Sequence, residues 1–100
     1  VLQKDSAALS DYNKAIEQDP RHAKSLNNRG VLLGREKKFE EALSDYYRAI
    51  ESDPDFADAY VNMAAIEYMK NEREIACTHL QKAVKLGHLQ AADIYNKFCQ

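Results

Sequence analysis

Apolar residues recur along this chain at helical spacing, not in strict alternation. Ala8, Tyr12, Ala15 and Ile16 stand 4, 3 and 1 residues apart, and Ala42, Tyr46, Ala49 and Ile50 repeat that spacing. Such a set falls on one stripe of a helix with 3.6 residues per turn. A second stripe, Leu26, Gly30 and Leu33, precedes the second of these segments, and Tyr60 and Ala64 mark its counterpart further on. Asp19-Pro20 and Asp53-Pro54 punctuate the pattern, because proline cannot continue a helical ladder. Gly34 with Lys37-Lys38, Lys70-Asn71, and Gly87 after Lys85-Leu86 mark shorter turns. The pattern predicts helices near 5–18, 22–35, 39–52, 57–70, 73–86 and 89–99.

The stripes are copies of one another. Residues 8–20 lie over residues 42–54 with ten of thirteen positions identical, at an offset of 34. A further shift of 34 brings Ala76, Leu80, Ala83 and Val84 into the places of Ala42, Tyr46, Ala49 and Ile50. The recurrent alanines let a neighbouring helix approach closely, and the large Tyr, Ile or Leu fills the adjoining hole. Gly30 and Ala64 are a second small series at the same offset.

A helix–turn–helix repeat of 34 residues with small, aromatic, Ala and Pro residues at these offsets resembles the tetratricopeptide repeat. The resemblance covers nearly the whole chain. It departs at Leu26 and Tyr60, which stand at the usual tryptophan position, and at His88, which replaces the third proline. It implies an all-α, right-handed α-solenoid of helix–turn–helix units with a C-terminal capping helix. In that register residues 1–19 are a partial repeat contributing a second helix, with Val1-Leu2 as the tail of a first. Residues 20–53 and 54–87 are repeats, and 88–100 are the cap, all within one domain. Phe98 stands where Gly30 and Ala64 stand earlier, and so bulky a ring is expected to block a further close helix. At the other end Leu9, Tyr12 and Ile16 are expected to form an exposed face open to self-association.

Composition narrows the function. Lys plus Arg is 14 and Asp plus Glu 16, a formal charge of −2, which leaves no basic surplus for gripping nucleic acid or an anionic membrane. No apolar run approaches the roughly 20 residues of a membrane-spanning helix. The three glycines are isolated, so no phosphate-cradling loop exists. Asp11, Asp45 and His79 are equivalent in successive repeats and are read as a solvated helix face, because charged residues are mostly exposed. No catalytic constellation and no cofactor site is expected. The compartment stays open between cytoplasm and bacterial periplasm.

The family resemblance implies that the first helices of the repeats line a concave groove that holds a peptide. The groove set expected on that basis includes Lys24, Asn27, Asn28 and Arg35 from one helix, Asn62, Tyr68 and Met69 from the next, and Tyr95 and Asn96 from the last. Asn28, Asn62 and Asn96 are spaced by 34 and 34. A primary amide both donates and accepts, so such a series suits a peptide backbone irrespective of its side chains. The competing reading is that Asn is common at this repeat position. Tyr68, Met69 and Tyr95 are candidate apolar anchors, or ordinary packing residues. The family's carboxylate clamp for chaperone C-termini needs cations, whereas the corresponding places read Asn27, Val31, Asn62, Ala92 and Asn96. The expected function is a non-catalytic protein–protein interaction scaffold for an extended or helical peptide of no extreme charge. The alternative is a structural spacer in a longer solenoid.

Cys77 and Cys99 are 22 residues apart on helices expected to be neighbours. Two buried thiols are the ordinary outcome. The alternative is a disulfide, which would pin the last helix and add about 3 kcal/mol in the entropic account. With His79 and His88 these cysteines make a poor metal set, since Cys77 and His79 point to opposite sides of a helix.

Overall fold

A computed structural model describes residues 3–100, with side chains from Asp5 onward. Six helices and no strand occur among the described residues: α1 (Gln3–Gln18), α2 (Ala23–Arg35), α3 (Phe39–Ser52), α4 (Ala57–Met69), α5 (Arg73–Lys85) and α6 (Leu89–Phe98). Each lies within two residues of the helix that the apolar pattern predicts. Neither proline enters a helix; Pro20 and Pro54 sit in the connectors ahead of α2 and α4. No helix of the described residues is long and apolar enough to cross a membrane.

The short turns share one construction. Lys37, Asn71 and Gly87 take left-handed backbone, with φ of 63°, 63° and 89°. The next amide then reaches back to a carbonyl inside the helix, as Lys38 N does to Leu33 O at 2.9 Å, Glu72 N to Glu67 O at 2.8 Å and His88 N to Ala83 O at 3.1 Å. These bonds satisfy carbonyls that a helix end otherwise leaves open. Two starts, those of α2 and α6, carry a side-chain cap. Nδ1 of His22 accepts from Ser25 N at 3.2 Å, and Nδ1 of His88 accepts from Ala91 N at 3.1 Å.

The chain divides into two compact units at the Pro54–Asp55 junction. In the first, α2 packs against both α1 and α3. Its core holds Ile16, Leu26, Leu32, Leu33, Ala42, Leu43, Tyr46 and Ala49. Gly30 lies under the Tyr46 ring; a Cβ there would stand 2.5 Å from Cε1 and 2.9 Å from Cδ1 and Cζ. The small-against-large pairing read from the sequence is therefore literal contact. In the second unit α5 packs against α4 and α6. Ala64, Ala76, Leu80, Ala83 and Ala91 form its core cluster, flanked by Tyr60, Val61, Val84, Ile94, Tyr95 and Cys99.

The exposed face expected at α1 needs correction. Ile16 is buried and Leu9 and Tyr12 are half-buried, because this stripe is the one α1 turns toward α2. Ile16 is not available to a second molecule.

Candidate functional site

The second unit contains an apolar cavity of about 250 Å³. Val61, Ala64, Ala65 and Tyr68 of α4 form one wall, Leu80 of α5 contributes from the second helix, and Ile94 and Phe98 of α6 form the opposite wall. Its origin lies in residue size. Ala64 and Ala65 leave room on α4, and Phe98 stands at the place where α2 has Gly30 and α4 has Ala64. The Phe98 ring meets Tyr68 edge-on with centroids 5.5 Å apart. Both rings are 40% exposed, so they form a rim rather than a floor. Lys97 Nζ lies 5.7 Å from the Phe98 centroid, and Arg73 Nη2 donates to Phe98 O at 2.6 Å. Small-molecule sites span about 300–1,000 Å³. This cavity is smaller, and its scale suits one large apolar side chain.

The residues expected to line a groove divide. Tyr68 lines the cavity, while Met69 is 61% exposed beside it in sequence. Tyr95 is half-buried against the core cluster. Asn96 and Lys24 are exposed, and Asn28 and Asn62 are half-buried. Arg35 is exposed and reaches Asp5 of α1 at 3.7 Å. Asn27 departs from expectation: it is buried, at 6% exposure, because it falls beside Leu26 on the inward stripe of α2. Ala64, Leu80, Ile94 and Phe98 were not expected in the site. The signal for Phe98 was present, as the one large residue in a small series.

The solvated face assigned to Asp45 and His79 also needs correction. Asp45 is 3% exposed and takes two hydrogen bonds from Arg29, Nε to Oδ2 and Nη2 to Oδ1, both at 2.7 Å. Arg29 Nη1 also donates to Asn13 Oδ1 at 3.0 Å. The hydrogen bond to Asp45 is the main reason that the Arg29 guanidinium is held above its usual pKa. In the second unit His79 Nδ1 pairs with Glu67 Oε1 at 2.7 Å, and Glu67 is 3% exposed. Position 29 has become Met63 there, and the acid has moved to Glu67 on α4. Burial of Tyr46 next to these charges raises its phenol pKa to about 12, through desolvation first and the charge of Asp45 second.

A second cavity of about 420 Å³ borders the Arg29–Asp45 pair, with Leu9, Asn13, Lys38 and Arg48 in its lining. Its innermost charges already neutralise each other. No group of three or more His, Cys, Asp or Glu side chains among the described residues is arranged to hold a metal ion. His79 turns to Glu67 and His88 Nε2 to Asp58 Oδ1 at 2.8 Å. Cys77 and Cys99 form a disulfide with Cα atoms 5.8 Å apart, so the structure does not contain the two free thiols that sequence alone made the ordinary outcome.

Comparison with known proteins places this architecture. Residues 23–56 match the tetratricopeptide repeat family. No curated protein matches the sequence. The TPR2B domain of yeast Sti1, in its complex with pHsp70, superposes with a TM-score of 0.86 at 27% identity, covering 97% of this chain and 84% of that one. The TPR2AB domain of yeast Sti1, in its complex with pHSP90, gives 0.84 at 27% identity over 96% of this chain and 40% of that one. MamA shares the fold, with a TM-score of 0.79 at 21% identity over 90% of this chain and 53% of its own. The chain thus spans about half of MamA and less than half of the TPR2AB structure. The fold is an all-α helical-repeat solenoid.

Proposed function

We propose that this chain, which belongs to the tetratricopeptide repeat family, is a non-catalytic scaffold that holds a polypeptide segment of a partner protein. The observation that carries the reading is the apolar cavity between α4 and α6, walled by Tyr68 and Phe98. It takes one large apolar side chain of the partner. Asn28, Asn62 and Asn96, repeated at the same place of successive first helices, pair with the partner's backbone. The pHsp70 and pHSP90 complexes of the Sti1 domains support a polypeptide as the ligand class. They do not extend to a terminal-carboxylate clamp here, since Asn27, Ala92 and Asn96 stand where its cations are needed.

The test uses peptides selected from a random display library against the chain, with affinity then measured by calorimetry. Replacing Asn28, Asn62 and Asn96 together by Ala should weaken binding about a hundredfold, at about 1 kcal/mol per hydrogen bond, with helicity unchanged. Ala65→Phe, which fills the cavity from its exposed lip, should abolish selection of an apolar anchor. Unchanged affinity in both variants sinks this reading. A chain that selects no peptide favours the structural spacer instead.

A further inference from the structure

We infer that the cavity of the second unit is redox-gated: the Cys77–Cys99 disulfide keeps the last turn of α6 in place as a wall, and reduction dismantles that wall. What the cavity binds rests on the function proposed above; the gating of its wall does not.

The two ends of α6 are fastened by different means. At its start Ala91 is fully buried in the core cluster. His88 secures the same end, with Nδ1 accepting from Ala91 N and Nε2 donating to Asp58 Oδ1. None of this involves a cysteine. At the far end no residue is buried; Phe98 is 40% exposed, and Ala91 is the helix's sole buried residue. Ile94, Tyr95 and Cys99 of that half are only partly buried against the core cluster, and besides the disulfide Phe98 itself keeps an exposed bond from Arg73 to its carbonyl and an edge contact with Tyr68. Exposed interactions of these kinds are weak. A helix of ten residues is also shorter than one that holds itself together in water. The covalent bond is therefore the strongest single fastening beside Phe98, which directly precedes Cys99.

Both cysteines are half-buried, so a dithiol reductant has an edge to attack. Its thiolate bonds to one sulfur and expels the other; its second thiol then resolves the mixed disulfide. Two electrons and two protons pass to Cys77 and Cys99, which become thiols, and the reductant leaves as its own disulfide. The end of α6 frays from Phe98 backward, while its start stays capped. The apparent affinity of any cavity ligand falls with the fraction of chains whose wall is closed.

The experiment uses the chain of residues 1–100 with and without dithiothreitol, thiols being counted with Ellman's reagent. NMR follows the nuclear Overhauser contacts between Phe98 and Tyr68 and the methyl signals of Val61, Leu80 and Ile94. Indole, the size of one large apolar side chain, serves as the cavity probe. On reduction the Phe98–Tyr68 contacts should vanish and the probe should bind about tenfold more weakly, while α4 and α5 amides keep their shifts. Cys99→Ser should behave as the reduced chain and respond no further to dithiothreitol. Phe98→Ala in the oxidised chain should reproduce the loss of probe without touching the disulfide, which separates wall loss from general unfolding. Persistence of the Phe98–Tyr68 contacts with two thiols counted overturns the inference, and so does equal probe affinity in both states. Loss of the contacts in a chain that selects no peptide upholds the gate and counts against the peptide reading alone.

Discussion

Gly30→Ala sets two known effects against each other. Alanine is about 1 kcal/mol better than glycine inside a helix, and Gly30 lies in the interior of α2. A scan by propensity alone would therefore choose it as a stabilising change. The structure reverses the sign. The new Cβ would stand 2.5, 2.9 and 2.9 Å from three carbons of the Tyr46 ring, against about 3.5–4.0 Å for relaxed carbon contacts. The ring must move by about 1 Å, and it is rigid and 3% exposed. Overpacking of this kind costs about 1–3 kcal/mol. Three ring atoms clash at once, so the upper part of that range applies, and the net loss should be about 1–2 kcal/mol. The second unit supplies the control, because the equivalent positions are Ala64 and Leu80 in one cluster. In a Tyr46→Leu background Gly30→Ala should turn stabilising, by about 1 kcal/mol. Urea denaturation of the four proteins, followed by circular dichroism at 222 nm, completes the cycle. A Gly30→Ala protein as stable as its parent, or one equally destabilised in both backgrounds, would refute the steric argument.

Two further outcomes follow from the same unit. Tyr46 ionises near 10 when unfolded and at about 12 when folded. The folded state favours the neutral phenol, so this stabilisation is whole below pH 10 and is lost as pH rises through 12, about 3 kcal/mol in all. Tyr46→Phe should flatten the fall of the urea midpoint in that window; an unchanged slope contradicts it. Asp45→Ala leaves Arg29 without its main partner and should cost about 3–5 kcal/mol, whereas Arg29→Met with Asp45→Leu should come close to the parent, as measured by thermal unfolding.

Much of the architecture was legible because small and large residues recur at one interval. Ala42, Ala49, Ala76 and Ala83 sit fully buried where that interval puts them. The charged pairs were hidden by the same regularity. Asp45 and His79 share a repeat position but have opposite chemistry, and each is answered from a different place, Arg29 in one case and Glu67 in the other. Comparing repeats averages such partners away; comparing Arg29 with Asp45 across their hairpin would have found them. The burial of Asn27 was not legible, because residues at the edge of a stripe turn inward or outward with small rotations of the helix. The cavity required knowing that α6 turns Ile94 and Phe98 toward α4, a tertiary fact that spacing does not encode.

The differing charged pairs also limit how these near-duplicate segments can be exchanged. Transplanting α5 into the place of α3 would set His79 opposite Arg29, two bases with no acid, and would put Leu80 over Gly30 with a hole where the Tyr46 ring had been. The interchangeable part is the hairpin carrying both its lock and its key, never the single helix. An engineer shuffling this chain should cut at the prolines.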